Sequence, residues 1–390
     1  MDEKNLDDLR KDIDNVDEKL MLLFEKRMQL SNQIGEIKLH TGKNILDIER
    51  ERTVLENRSN MVRDPVAKEY ALEFISYCMA LSKRAQQRKV DTAHYENVQG
   101  IINEFFSEIK ELAISEKCKI AYQGVPGSYS EEALLSYFGE NISWENKLNF
   151  DRFDQVFDSV LKGEADYGVV PVENSSTGSI IDVIDLFVKK GCYICGEQIV
   201  RIEHNLLSTA QSNIDDIKDV YSHGQGFDQS RDFLDKHPDW RLTPYINTAT
   251  SAKMVAALGD KTKAAIAGKR AAQIYGLNIL AEGINTNLNN YTRFYVISAK
   301  PQKSVKSNVF SLLFTLPHAS GTLTSVLECF SIRGINMLKI ESRPAIREWE
   351  YNFLLDVEIE DCNPNIKNIL VKAMERTGSF KILGHFKKDR

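Results

Sequence analysis

A cation stands where an apolar residue belongs. From Leu6 to Ile37 the apolar positions 6, 9, 13, 16, 20, 23, 30, 34 and 37 alternate by three and four, the spacing of one face of a long helix. Continuing that alternation from Leu23 requires an apolar residue at 27, and position 27 is Arg27. A guanidinium in an apolar seam is costly unless an anion meets it. That anion is either a carboxylate on a neighbouring helix, setting the register of pairing, or a bound ligand. Lys38 lies 11 positions further on, so on an ideal helix the two cations point within about 20° of each other. Their Cα atoms are about 16 Å apart along the axis, close enough for two long side chains to converge on one dianion. Arg10 lies about 25 Å from Arg27 and about 42 Å from Lys38 on a straight helix. If Arg10 serves the same ligand, it comes from a second copy of the chain.

Other familiar chemistry is missing. No Walker loop, dinucleotide-binding fingerprint or H-E-x-x-H site is present between about 119 and 300. Cys192 and Cys195 form a C-x-x-C pair without the second pair a structural zinc site needs, and GCYICGEQIV reads as the start of a strand with buried thiols. The glycine-rich turn in YQGVPGSYSEEA follows a strand and opens a helix that Ser128 or Ser130 caps. Such a helix start also binds carboxylates well.

These residues need elements to hold them. At 390 residues the chain is long enough for two or three domains. Its first ~90 residues read as all-α, with helices over about 47–62 and 65–90 following the first and Pro65 opening the last. Residues 91–116 read as a helical connector. From about 117 to 300 short β-rich runs (KIAYQG, YGVVPV, RFYVISA) alternate with amphipathic helices such as EEALLSYF, the texture of an α/β domain. Residues 307–386 give a β-α-β-β-α-β order, α+β and ferredoxin-like. An apolar share of 42% and a charged share of 27% suit a soluble globular protein, and the net charge of −6 gives no footprint for nucleic acid. No apolar run reaches the roughly 20 residues that span a bilayer. The charged start MDEKNLDDLR and the scattered six cysteines point to the cytoplasm.

The order LRKDIDNVDEKLMLLFEKR, IGEIK, DIERE and then a helix carrying S-x-x-x-Q resembles the all-helical chorismate mutase family over the whole first ~90 residues. The resemblance implies an interlocked dimer in which each site borrows an arginine from the partner. It implies substrate-binding roles for Arg10, Arg27, Lys38, Asp47, Arg50, Glu51, Ser82 and Gln86. The implied reaction, chorismate to prephenate, is a pericyclic rearrangement that needs no acid, nucleophile or cofactor. Arg10, Arg27 and Arg50 would clamp two carboxylates, Lys38 and Gln86 would donate to the ether oxygen, and Glu51 would take the ring hydroxyl. Ser82 and Gln86, at i and i+4, share a helix face.

The strings YQGVPGSYSEEA, GVVPVENSSTGSI, EHNLL, VYSHGQGFDQS, NTATSAKMVA, AAIAGKRAAQIYGLNILAEGI and NNYTRFYVI resemble prephenate dehydratase in order and end to end. That family implies two α/β lobes, periplasmic-binding-protein-like, with substrate in the cleft between them and no cofactor. It implies an essential Thr292, a cleft lined by Glu173, Asn174, Ser222 and Gln229, and Arg293 on the pyruvyl carboxylate. Hydroxide is a poor leaving group, so a donor must face it, and Thr292 supplies that hydrogen bond. A threonine hydroxyl is too weak an acid to finish the step, so a relay through water, Glu173 or His223 is expected. The turn reads GQG after YSH where many relatives have Pro-Gln, so Gly224 and Gly226 are expected to loosen it.

HASGTLTSVLECF and IESRP resemble an ACT domain of the phenylalanine-binding kind. That implies L-phenylalanine at Gly321, Leu323, Glu341, Ser342, Arg343 and Pro344, between two chains, favouring a less active state. Thr322 stands where the family often has Ala. The combined expectation is a cytoplasmic isomerase and carbon–oxygen lyase, a dimer or a tetramer of dimers, acting on chorismate and prephenate. An arogenate dehydratase and a non-catalytic phenylalanine-binding regulator are the competing readings.

Overall fold

The computed structural model describes residues 5–43, 45, 47–345 and 350–389. The chain divides into two compact units, residues 1–100 and 101–390. No helix among the described residues is long and apolar enough to cross a membrane.

The first unit is helical. Helix α1 (Leu6–Thr41) starts at Asn5, whose side chain accepts the Asp8 N–H, and ends at Gly42 in the left-handed region. Helix α2 (Ile48–Ser59) is capped by Asp47. Helix α3 (Pro65–Val90) is capped by Asp64, with Pro65 in its first turn as expected. Helix α4 (Thr92–Glu108) contains the division between the units.

Helix α1 packs on α3, where Arg27, Met28, Ser31 and Gly35 meet Cys78, Ser82 and Gln86. At Gly35 the helices are so close that a Cβ would sit 2.9 Å from Gln86 Cγ. The seam itself stays outside: Leu9, Ile13, Val16, Leu23, Leu30, Ile34 and Ile37 are all exposed, Leu23 by 66%. A seam expected to be buried is therefore left open by its own chain. Burying such side chains is worth about 1.5–3 kcal/mol each, a gain this chain leaves unmade by itself.

Among the described residues the second unit holds three sheets, the smallest a parallel pairing of Lys110–Glu111 with Gln302–Lys303. A five-stranded sheet runs in the order Asn278–Ala281, Asn205–Ser208, Lys263–Ala267, Asp219–Ser222 and Arg241–Pro244. The largest sheet has ten strands. At one end Tyr193–Arg201, Tyr291–Ser298, Tyr167–Asn174, Ile120–Gln123 and Lys147–Phe150 form a first α/β lobe, and the five-stranded sheet forms the second. The chain passes between lobes twice, over 202–204 and 282–290, and the two crossings are bonded to each other: Ile202 N–H donates to the Asn290 carbonyl at 2.8 Å and Ile284 N–H to the His204 carbonyl at 2.9 Å.

Residues 309–386 have the expected β-α-β-β-α-β order, with strands Val309–Leu316, Met337–Pro344, Tyr351–Glu358 and Phe380–Phe386 and helices Thr322–Ser331 and Ile366–Met374. Their strands continue the first lobe's sheet rather than standing apart, joined where Gly384 pairs with Ile194. The Cys192–Cys195 segment is the expected strand start, and burial pushes both thiols up to about 12, so they are packing groups.

Candidate active sites

In the helical unit, Arg27 reaches across to α3. Its Nη1 donates to the Cys78 carbonyl at 2.7 Å and to Ser82 Oγ at 2.5 Å. One turn on, Gln86 Nε2 donates to Ser31 Oγ at 2.9 Å, while Gln86 Oε1 is buried without a hydrogen-bond partner. Lys38 Nζ donates to the Ile45 carbonyl at 2.7 Å. Glu51 turns towards α3 and pairs with Lys83 at 2.9 Å. The structure thus brings Arg27, Ser82 and Gln86 together at the α1–α3 contact, while Lys38 is held by Ile45 and Glu51 by Lys83. Among the described residues no carboxylate meets Arg27, so no register-setting ion pair is seen there; its partners are a carbonyl and a hydroxyl, neither of which neutralises it. Asp47 is spent capping α2, accepting from Arg50 N–H at 3.0 Å, and Arg50 is exposed. Arg10 is exposed and, among the described residues, meets Asp7 at 3.4 Å.

In the second unit a cavity of about 540 Å³ opens between the lobes. Strand alternation puts Thr292 and Phe294 on its wall. Asn174, at the end of the neighbouring strand, fixes the threonine. Its Oδ1 accepts the backbone N–H groups of Ser176 and Thr177 at 2.9 and 3.1 Å, which leaves Nδ2 to donate to Thr292 Oγ1 at 2.9 Å. With Oγ1 accepting, the threonine's own proton is free to point into the cavity.

None of the described residues lining this cavity is Lys or Arg. Two helix starts face it instead: that of helix α5 (Tyr129–Phe138), capped by Ser128, and that of Thr248–Leu258, capped by Asn247. Their free N–H groups and dipoles favour an anion. Gln229, His204, His223, Gln225 and the carboxylate of Asp182 also line it. His223 caps the short helix Gly224–Asp228, its Nδ1 accepting from Gln225 N–H at 3.3 Å. The expected loose turn is therefore helical. Gly226 is needed for close packing, since a Cβ there would lie 2.3 Å from Ser222 Oγ.

Three expectations are corrected. Arg293 lies on the opposite face of its strand from Thr292, with Glu197 at 2.6 Å and Asp356 at 2.9 Å, so it does not line the cavity. Burial opposes its charge, but Tyr295, Asp356 and Glu197 around it raise its pKa further and keep it protonated. Glu173, adjacent to Asn174, likewise faces away and pairs with Lys339 at 3.1 Å, which removes it from any relay in the cavity. Ser222 is fully buried and donates to the Ile266 carbonyl at 3.2 Å. Sequence reasoning passed over His204, Tyr129, Asn247 and Thr248. All four sit in strings already singled out, at a strand start or a helix start, where polar side chains are free to face a cleft.

In the C-terminal part, Gly321 has φ +78° at the start of its helix. Thr322, the departure from Ala, turns its hydroxyl back onto the Ala319 carbonyl at 2.9 Å. The IESRP strand splits by alternation. Ser342 and Pro344 are exposed, whereas Glu341 accepts from Ser179 Oγ at 2.5 Å and Arg343 binds Asp185 at 2.7 Å. Ser179 lines the interlobe cavity.

Comparison with known proteins follows this division. Residues 120–302 match the prephenate dehydratase family and residues 9–87 match chorismate mutase type II. A bifunctional chorismate mutase/prephenate dehydratase of Aquifex aeolicus is 32% identical over 99% of this chain and 98% of its own length. The protein of the same description from Neisseria gonorrhoeae is 32% identical over 97% of this chain and 95% of its own. Among solved structures, a prephenate dehydratase from Arthrobacter aurescens in complex with L-Phe is 27% identical, with a TM-score of 0.64, covering 69% of this chain and 90% of that one.

Proposed function

The chain belongs to the bifunctional chorismate mutase/prephenate dehydratase family, and from that premise we propose how its parts divide the work. The helical unit, residues 1–90, rearranges chorismate to prephenate. The α/β part, residues 117–300, with 91–116 as connector, converts prephenate to phenylpyruvate. In that second step the bond to the ring carboxylate breaks and its electron pair enters the ring. The C–O bond breaks, and the departing hydroxide takes a proton to leave as water.

The observation that carries the reading is Thr292. Asn174 occupies its lone pair, so its O–H is the donor left for the leaving hydroxyl. Asn174 and Gln229 act beside it, the two helix starts receive the substrate's carboxylates, and His223 replaces Glu173 as the relay to solvent. In the mutase, Arg27 takes a carboxylate, while Lys38 and Gln86 stabilise the ether oxygen as charge develops on it. Ser82 holds Arg27, Glu51 takes the ring hydroxyl, Asp47 and Arg50 shape the rim, and Arg10 arrives from a second chain across the exposed seam. The assembly is a dimer or a tetramer of dimers, placed in the cytoplasm.

Residues 307–386 are read as an ACT domain that binds L-phenylalanine through Gly321, Leu323, Ser342 and Pro344 and lowers dehydratase turnover. Glu341 and Arg343 carry the signal through Ser179 and Asp185 to the cavity. The test supplies chorismate to the purified chain and follows prephenate and phenylpyruvate together. Both should form; prephenate without phenylpyruvate refutes the dehydratase assignment.

A further inference from the structure

His204 stands in the first crossing between the lobes, just before the strand Asn205–Ser208. It is 2% exposed and its side chain reaches the cavity wall. Its two ring nitrogens face opposite ways. Nδ1 lies 3.1 Å from the Tyr129 hydroxyl on α5, which packs on the first lobe's sheet. Nε2 lies 2.8 Å from Gln229 Oε1, and Gln229 ends the short helix Gly224–Asp228 of the second lobe. One imidazole therefore ties the two lobes together at the floor of the cleft.

The surroundings fix the ring. His204 N–H donates to Asn285 Oδ1 at 2.7 Å, which belongs to the second crossing, and the Tyr129 hydroxyl also reaches the Glu203 carbonyl at 2.8 Å. The Gln229 backbone carbonyl accepts from Thr286 N–H at 2.8 Å, so both ends of Gln229 are anchored to the hinge. Burial lowers the imidazole's pKa, so the ring is neutral, and with one proton it can donate from only one nitrogen. With the Gln229 carbonyl oxygen against Nε2, that proton sits on Nε2, and Nδ1 accepts the Tyr129 hydroxyl proton that the Glu203 carbonyl otherwise takes. The amide nitrogen of Gln229 is then the end left for the cavity. A donor there suits an anionic substrate in a cavity whose wall offers neither Lys nor Arg.

We propose that His204 is a positioning residue for the dehydratase: bridging Tyr129 and Gln229, it sets the spacing of the lobes and turns the Gln229 amide donor towards the substrate. The proposal rests on the dehydratase reading. It differs from a packing role in one measurable way, because its effect runs through Gln229.

The test measures prephenate turnover by the full chain for His204→Leu, Gln229→Ala and the double variant. His204→Leu should lower kcat by about 10- to 100-fold, the scale of a misplaced contact, with KM changed by less than about threefold. In the Gln229→Ala background the same substitution should cost less than about threefold. Tyr129→Phe, which removes a single hydroxyl, covers the case in which His204→Leu does not fold. It should cost about three- to tenfold alone and little beside Gln229→Ala. Equal factors in both backgrounds, or an unchanged kcat, overturn the proposal. A wild-type chain that does not convert prephenate overturns the dehydratase reading instead.

Discussion

Asn174 Nδ2 lies 2.9 Å from Thr292 Oγ1, and two backbone N–H groups hold the other end of the amide so that it cannot turn over. The pair leaves the threonine one role, that of donor into the interlobe cavity. Thr292→Val should therefore lower dehydratase kcat by about 10²- to 10⁴-fold, while Thr292→Ser stays within about tenfold of the wild type. Phenylpyruvate formation from supplied prephenate reads this directly, and mutase activity in the same samples should not change.

If Arg10 serves the partner's site, two inactive variants should rescue each other. Arg10→Ala and Lys38→Ala homodimers each lack a group in both sites. A mixed dimer has one site with both defects and one intact. Mixing equal amounts under subunit exchange should restore about a quarter of wild-type mutase activity, since half the dimers are mixed and each has one good site. No recovery despite exchange seen by native mass spectrometry would place Arg10 outside the site.

Glu131 on α5 is fully buried between Lys147 at 2.8 Å and Arg270 at 3.3 Å. Burial alone would raise its pKa, but the Gly127 N–H and the two cations bring it below the ordinary 4.5. A depressed folded-state pKa contributes stability above the unfolded value, lost as pH falls below about 4.5 towards the folded one. Glu131→Gln should cost about 3 kcal/mol at neutral pH by leaving Lys147 and Arg270 without their charge partner. Denaturant titrations at pH 7 and pH 3.5 should show that cost shrinking at the lower pH.

Arg343 and Asp185 join the strand Met337–Pro344 to the helix Ile181–Lys190, and on the proposed reading they couple the effector domain to the dehydratase. Asp185→Ala should leave L-phenylalanine affinity within about threefold while reducing inhibition of the dehydratase, since binding and coupling are separate quantities. Calorimetry for binding and initial rates for inhibition separate the two. Loss of binding together with inhibition would place Asp185 in the effector site itself.

What the sequence revealed depended on how far each feature reaches. Arg27 stood out because helical spacing fixes direction along one element and shows a cation in an apolar row, whereas Gln86 came only from the resemblance to the chorismate mutase family. The pairs Glu173–Asn174 and Thr292–Arg293 were misread in part, because neighbours on a strand point to opposite faces and only one of each can enter a cavity. The open seam of α1 was not legible, since which of two adjacent helix faces α3 covers depends on the close approach at Gly35. The junction at Gly384 and Ile194 lay beyond reach, because it pairs strands 190 positions apart.

The most direct test of the two-site account supplies chorismate to the wild type, Arg27→Ala and Thr292→Val in parallel and follows both products. The wild type should form phenylpyruvate. Thr292→Val should stop at prephenate, and Arg27→Ala should leave chorismate unconsumed yet convert prephenate when it is added. If Arg27→Ala also abolished conversion of added prephenate in a folded protein, or Thr292→Val left phenylpyruvate formation intact, the assignment of one reaction to each unit would be contradicted.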